Sequence, residues 1–365
     1  MKILLIGFSK LKYMPYMHFY LEEILPGGHE VHILYWNRDG KEEARQEGVT
    51  YHEYRFCMDD DIPKGQKLGG FVGYRRFAMD MLRRETFDWV VVHHSMPMLL
   101  LGGYLARHYR ERYIFDYRDY TYERFGPFRR AMHRAVKASK VTFVSSDGFR
   151  FALPQSPKIH TSHNLTLMGQ EQRARHWRQK GVLRIGFWGY IRHEQLNRRL
   201  IRALGGDERF ELHYYGREQA IGRSLKAYAQ ELGTDNVFFH GEYAPRERYA
   251  FAAQTDILHN VYSNTEAPSQ QYAMTNKYYD GLWFGLPQLC MVGSYMGQLV
   301  EQQGLGFALD PAEEGFADKV WERYHAMDAD AFFCRCDRVL LDVTRGYEEG
   351  RRVIQDAIGS IDKIE

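Results

Sequence analysis

Between Ala273 and Val292 the chain reads AMTNKYYDGLWFGLPQLCMV: a polar entry, a helix, and an apolar strand after Gly285-Leu286-Pro287. The helix, predicted over Thr275–Phe284, has Asn276 and Lys277 in its first turn and Asp280 one turn later. A lysine beside a helix N-terminus is placed to hold a phosphate, because its charge and the helix dipole act together there. An ordinary amphipathic helix with an exposed Lys and Asp has the same spacing. A second candidate is RIGFWGYIR, Arg184–Arg192, a buried strand ending in Gly189 ahead of a basic residue. Glycine there lets backbone amides approach a diphosphate, and Arg192 either neutralises that diphosphate or caps the next helix.

A third cluster ends a strand of the first half: YIFDYRDY, Tyr113–Tyr120, with Asp116, Arg118 and Asp119. Such a mixed acid–base group can position a hydroxyl or accept its proton, and can equally be an ion pair that holds the loop. The first loop, Gly7-Phe8-Ser9-Lys10, follows strand one without G-x-G-x-x-G, which excludes a dinucleotide fingerprint. Asp59-Asp60-Asp61 sits in a Pro/Gly-rich loop with no partner ligands in register, so a solvated turn is favoured over a metal site. The basic run Arg124–Lys140 is predicted to form a short helix with Phe128, Met132 and Val136 on one side. That pattern suits peripheral membrane contact or a lipid diphosphate, and equally a surface helix whose apolar stripe packs on the sheet.

These groups need a scaffold, and the chain alternates short apolar strands with helical stretches, the signature of parallel sheets with crossover helices. Strands are predicted at Lys2–Phe8, Glu30–Tyr35, Thr50–Arg55, Trp89–His93, Tyr113–Tyr117, Val141–Ser145 and Lys158–His160, with helices at Met17–Leu25, Val72–Arg84 and Met98–Tyr109. The polar stretch Gln170–Lys180 reads as a connection. The rhythm then restarts with strands at Leu183–Trp188, Phe210–Tyr215, Val237–His240, Asp256–His259, Gln288–Val292 and Gly306–Leu309. Helices fall at Glu194–Leu204, Gln219–Leu232, Thr275–Phe284 and Gly297–Gln303. The expectation is two doubly wound α/β domains facing across a cleft, residues 1–168 and 182–340, with a nucleotide-like ligand between them. Residues 341–365 form a helical tail. Ligands of open parallel sheets bind beyond the carboxyl ends of the strands.

Composition narrows the class. The 365 residues are 44% apolar and 26% charged, which fits two globular cores. Cys57, Cys290, Cys334 and Cys336 match neither a zinc knuckle nor a redox C-x-x-C, so reduced thiols and a cytoplasmic location are expected. MKILLIGFSK reads as a first strand rather than a signal peptide, and no apolar run approaches a membrane span. The net charge of +2 hides an asymmetry: from residue 241 onward there are 11 Lys/Arg against 20 Asp/Glu. The basic first part points to an anionic partner. Nucleic acid is not expected, since no binding module accompanies the charge.

The segment NKYYDGLWFGLP resembles the donor-binding helix of GT-B glycosyltransferases, family 4 and its bacterial polysaccharide relatives, which read Asn-Lys, an acid, then Gly-x-Pro and a strand. By that resemblance Asp280 would meet the ribose hydroxyls of a nucleotide-sugar donor and Lys277 its diphosphate. Gly189 and Arg192 would serve the pyrophosphate loop, and Ser9 and Lys10 would lie where donor and acceptor approach. The D-x-R-D of Asp116–Asp119 looks like a feature of the relatives' first domain. Ser162-His163-Asn164 resembles the family's His-Asn, with His163 shaping the hinge. The resemblance also implies an acceptor-side domain at residues 1–168 and a nucleotide-sugar-binding domain at 182–340, retention of the anomeric configuration, no resident cofactor or metal, a glycan or polyprenyl-diphosphate-linked acceptor, and a tail that packs back on the first domain. The family often has a second glutamate eight positions before the ribose acid; here that position is Tyr272, and Glu266 lies out of register. A nucleotide-sugar epimerase and a non-catalytic binding protein of the same fold remain the alternatives.

Overall fold

The computed structural model describes residues 1–58, 64–165, 175–263 and 268–359. The Asp59–Asp61 loop, residues 170–174 of the connection, Glu266 and the last six residues of the tail lie outside them. The chain divides into two compact units, Met1–Thr166 with Arg345–Glu365, and Leu167–Thr344. A single helix, Ala329–Gly359, contributes residues to both.

In the first unit the strands are β1 (Lys2–Ile6), β2 (Glu30–Asn37), β3 (Val49–Arg55), β4 (Trp89–His93), β5 (Tyr113–Tyr117), β6 (Val141–Val144) and β7 (Ile159–Thr161). They pair in the order β3-β2-β1-β4-β5-β6-β7, all parallel. In the second unit β8 (Leu183–Trp188), β9 (Phe210–Tyr215), β10 (Val237–Gly241), β11 (Ile257–Asn260), β12 (Gln288–Cys290) and β13 (Gly306–Ala308) pair in the order β10-β9-β8-β11-β12-β13, again all parallel. Each is a doubly wound Rossmann-like sheet, whose order reverses between β1 and β4 in one and between β8 and β11 in the other. Every residue of β4 and β5 is buried, as strands covered by helices on both faces must be.

The predicted helix Val72–Arg84 begins two turns earlier, at Lys64. Glycines at positions 65, 69, 70 and 73 lower helix propensity and hide the start. Packing overrides the propensity: a Cβ on Gly73 would lie 2.2 Å from Tyr54 Oη, and one on Gly70 3.0 Å from the rings of Trp36 and Phe56. The bare backbone is what lets this helix approach the aromatic face of β2 and β3, where Tyr54 Oη donates to Gly70 O at 3.1 Å. The basic run forms a helix over Gly126–Ala138, and its stripe of Phe128, Met132 and Val136 is buried in the first unit. The second half of the connection is tied down in the second unit: Trp177 stacks on Tyr324 at 5.0 Å, and His176 and Arg178 meet buried Asp256 at 3.0 and 2.8 Å.

One polar arrangement occurs in both sheets. Glu30 accepts from His32 Nε2 at 2.7 Å, and His32 Nδ1 lies 2.7 Å from Nε2 of His52 on β3. Glu211 accepts from His213 Nε2 at 3.1 Å, and His213 Nδ1 lies 3.0 Å from Nε2 of His240 on β10. One proton serves each imidazole pair, and burial, then the facing His32 for His52 and the facing His213 for His240, lowers the pKa of the edge-strand ring.

Candidate functional site

The second unit builds its site where the strand order reverses. Beyond β8, Gly189 turns the chain at φ 126°, a conformation that side chains rarely adopt. The chain then passes Tyr190, Ile191 and Arg192 and enters the helix Glu194–Leu204 through His193, itself left-handed at φ 58°. Asn197, 2% exposed, holds this turn. Its Nδ2 donates to Arg192 O at 2.6 Å and His193 O at 3.2 Å, while its Oδ1 accepts from Tyr214 Oη at 3.1 Å and His259 Nε2 at 3.0 Å. His259 Nδ1 accepts from Val261 N at 3.2 Å, so its proton sits on Nε2. Burial first, then Lys277 and His193, pushes His259 down to about 3 and keeps it neutral. Arg192 is exposed, its guanidinium 4.7 Å over the Tyr190 ring.

Opposite this turn lies the helix Asn276–Phe284. Thr275 precedes it without capping it, because its hydroxyl donates instead to Asn260 Oδ1 at 2.7 Å. Asn260 donates to Gln288 Oε1 at 3.0 Å, and Gln288 donates to Tyr278 O at 3.1 Å, so β11 and β12 fix the helix start. Lys277 is buried, at 5% exposure. Its Nζ donates to Tyr262 Oη at 3.1 Å and lies 4.3 Å over the Phe187 ring and 4.9 Å over that of Tyr262. The His193 ring packs on Tyr262 at 5.2 Å. Lys277 has no carboxylate ion pair among the described residues. A buried ammonium with no counter-ion among the described residues, at a helix N-terminus with no side-chain cap, leaves positive charge that a phosphate group could meet. Asn276 and Lys277 open this helix and Gly189 and Arg192 lie on the turn after β8; the two segments are linked by the His193–Tyr262 contact and by Lys277 Nζ over the Phe187 ring. Tyr262, His193 and Asn197 were not legible, since nothing local marks a tyrosine after a strand or an asparagine inside a helix.

Asp280 sits differently from its neighbours. It is 2% exposed; Trp188 Nε1 donates to its Oδ2 at 2.7 Å, and Arg248 Nη1 lies 3.0 and 3.2 Å from its two oxygens. Burial raises its pKa, partly offset by Arg248, Trp188 and Lys277.

The first unit carries its polar groups at the matching place, between the ends of β1 and β4. His94, directly after β4, is held at φ 71°, ψ 155°, an uncommon conformation for a side-chain-bearing residue. Its Nδ1 lies 2.9 Å from Asp119 Oδ2 and its Nε2 2.5 Å from the hydroxyl of buried Tyr16. With Asp119 accepting the Nδ1 proton, Nε2 presents a lone pair, which Tyr16 O–H meets. Asp116 is fully buried between His93 Nδ1, 3.0 Å from Oδ2, and Arg118 Nη1, 3.1 Å from the same oxygen. Burial alone would raise it, but Arg118 and His93 overcome this and hold its carboxyl at about 2. Arg118 also lies 4.1 Å over the Tyr16 ring and 3.4 Å from Ser162 Oγ. The cluster Asp116, Arg118 and Asp119 is therefore split: the first two form a buried pair, and Asp119 serves His94. His94 itself was missed, and the signal was the tandem His93-His94 ending an apolar strand.

Lys10 is buried and ion-paired to Asp39, and Ser9 accepts at its carbonyl from Trp36 N at 3.3 Å. His163 packs against the long helix, where a Cβ on Gly346 would lie 2.9 Å from its Nε2, and burial lowers its pKa. No group of three or more His, Cys, Asp or Glu among the described residues could hold a metal ion. No helix among them is long and apolar enough to cross a membrane.

Two doubly wound parallel sheets in succession, each with its polar cluster at the reversal of strand order, define the GT-B fold, and solved structures agree. The chain is similar to WaaG, a glycosyltransferase involved in lipopolysaccharide biosynthesis, at 13% identity over 97% of this chain and 99% of that one, TM-score 0.64. It is similar to HepE of Anabaena in complex with UDP and glucose, at 12% identity over the whole of both chains, TM-score 0.61. It is similar to a sucrose-phosphate synthase from Thermosynechococcus elongatus, at 13% identity over 98% and 94%, TM-score 0.62. No protein-family profile and no curated protein sequence matches the chain. The fold is GT-B; identities this low say nothing beyond the fold.

Proposed function

We propose that the protein is a glycosyltransferase that takes a nucleoside-diphosphate sugar on its second unit and transfers the sugar to an acceptor hydroxyl attended by its first. The carrying observation is Lys277, a buried ammonium without a carboxylate partner among the described residues, at the N-terminus of its helix and with its Nζ over the ring of Phe187 on β8. As the bond from the anomeric carbon to the diphosphate breaks, negative charge grows on the leaving group. Lys277, the helix N-terminus and Arg192 stabilise it. On the first unit, Asp119 orients His94 with its Nε2 lone pair held by the Tyr16 hydroxyl, and an acceptor hydroxyl that takes the place of that bond can give its proton to Nε2. Asp116 and Arg118 keep that loop in place. HepE was solved with UDP and glucose, which supports a donor of this kind.

Retention of configuration is carried by the resemblance to family 4; product NMR showing inversion at the anomeric carbon removes it. A glycan or polyprenyl-diphosphate-linked acceptor is in keeping with a role in bacterial polysaccharide biosynthesis. The outward face of the helix Gly126–Ala138 exposes Arg129, Arg130, Arg134 and Lys137, and Phe125 and Phe151 are 52% and 56% exposed nearby. This face supports peripheral contact with an anionic membrane surface at the cytoplasmic side. Tyr272, where the family's first glutamate would fall, favours the second reading, a protein that binds the nucleotide sugar without consuming it.

The test is a thermal-shift panel of UDP, GDP, dTDP and CDP and their common sugars, with and without divalent metal, followed by turnover with the sugar that binds. A shift of several degrees for one nucleotide, with transfer, is the expected result. Binding without turnover favours the second reading, and no shift in a folded protein overturns both.

A further inference from the structure

The buried acid of the donor helix has a role its sequence position does not suggest. Asp280 is removed from solvent, and each of its oxygens is already engaged by the protein: Oδ1 by Arg248, Oδ2 by Arg248 and by Trp188 Nε1. Arg248 is itself largely buried, its side chain 12% exposed. Trp188 is the last residue of β8 and immediately precedes Gly189, where the chain turns into the phosphate loop. Lys277 lies one helical turn before Asp280 on the same helix. The acid therefore ties three pieces together: the helix that carries Lys277, the strand end that delivers Gly189, and the helix Arg248–Ala252. The next residue of the helix is closely packed as well, since a Cβ on Gly281 would lie 2.5 Å from Gln288 Nε2. A carboxylate whose lone pairs are taken by a guanidinium and an indole has little left for ligand hydroxyls without breaking a buried ion pair, which is costly.

We propose that Asp280 is a positioning residue and not a ribose ligand: with Arg248 and Trp188 it forms a buried clasp that holds Lys277 and the Gly189 turn at the spacing a diphosphate requires. This rests on the proposed nucleotide-sugar binding. Arg248 then belongs to the donor site, although it is remote in sequence from every residue that the donor-helix pattern marks. The two charges act as one unit, so losing either leaves the other buried and unmatched.

Binding of UDP, GDP and CDP is measured by calorimetry for the wild type, Asp280→Asn, Arg248→Met and the double variant, each beside the 2′,3′-dideoxy form of the same diphosphate. Thermal melting confirms that each variant is folded. The clasp requires that Asp280→Asn weaken binding of the ribo and dideoxy forms by the same factor, about tenfold or more. Arg248→Met should do likewise, with the double variant no worse than either single one. If Asp280→Asn instead weakens only the ribo form, down to the level of its dideoxy counterpart, Asp280 reads the ribose and the proposal falls. It falls equally if the variants melt lower yet bind both forms as the wild type does, because the triad then supports only the fold. A wild type that binds none of the diphosphates overturns the proposed function itself, an outcome separate from any difference among the variants.

Discussion

His193 packs its ring on Tyr262 at 5.2 Å across the point where the strand order of the second sheet reverses, and Tyr262 Oη takes a hydrogen bond from Lys277 Nζ at 3.1 Å. One phenol thus joins the loop after β8 to the helix that follows β11. The first unit repeats the relationship with other residues: Tyr16, after β1, meets His94, after β4. In each sheet the two chain segments that diverge at the reversal are bridged by a tyrosine and a histidine, through the hydroxyl in the first unit and through the rings in the second.

Lys277→Ala is expected to lower turnover at least about tenfold, roughly 1.4 kcal/mol of transition-state stabilisation, while the protein remains folded. Steady-state kinetics with the donor found in the nucleotide panel decide this. Unchanged kinetics in a folded variant take Lys277 out of the site.

His94→Ala is expected to slow transfer by about 10²-fold or more and to leave nucleotide affinity intact, because the proposed diphosphate site belongs to the other unit. Asp119→Asn should follow it in part, since the amide no longer fixes the proton on Nδ1. Calorimetric titration of the nucleotide alongside the rate separates this from a general loss of folding.

Stability should fall on the acid side of neutrality. His93 and His259 are fully buried with lowered pKa, and burial lowers His52, His213 and His240 too. A folded-state value below the unfolded one means the stabilisation is intact above about pH 6.5 and is lost as pH falls from there towards the folded value. For His259, at about 3, this costs about 2 kcal/mol between pH 6.5 and pH 5, at about 1.4 kcal/mol per unit. His259→Asn should be less stable at pH 7 but show a shallower loss over that interval in urea titrations.

Gly73→Ala should destabilise the first unit by about 1–3 kcal/mol although alanine is the better helix former, because its Cβ would meet Tyr54 Oη at 2.2 Å. Tyr54→Phe removes that atom, so the double variant should recover part of the loss. Chemical denaturation of the three variants tests the pair, and additive losses would rule the contact out as the cause.

Sedimentation with vesicles tests the cationic face. Vesicles with about a third anionic lipid in neutral phosphatidylcholine should carry the protein down at low salt and release it at high salt. Arg129→Glu with Arg130→Glu should abolish this without changing nucleotide affinity. Equal binding to neutral vesicles would mean that charge is not the attraction.

The sequence by itself determined the architecture. Apolar strand runs such as Trp89–Val92 and the periodic helices between them are local signals, and strands β4, β5, β8 and β9 begin and end where those runs do. The start of the helix at Lys64 was hidden because its glycines answer to the rings of Trp36, Tyr54 and Phe56, which only the sheet brings there. The candidates Gly189, Arg192, Asn276 and Lys277 were legible for a related reason: a glycine at a strand end and a lysine at a helix start act through the local backbone. Tertiary structure decided the rest. The buried pairing of Asp280 with Arg248, the bond between Asp119 and His94, and the hold of Asn197 on the 192–193 turn join residues far apart in sequence or set by packing alone. Burial is what gives the Asp280 pair its chemistry, because a carboxylate takes its charge state from the dielectric and partners around it, and no spacing in a sequence records either.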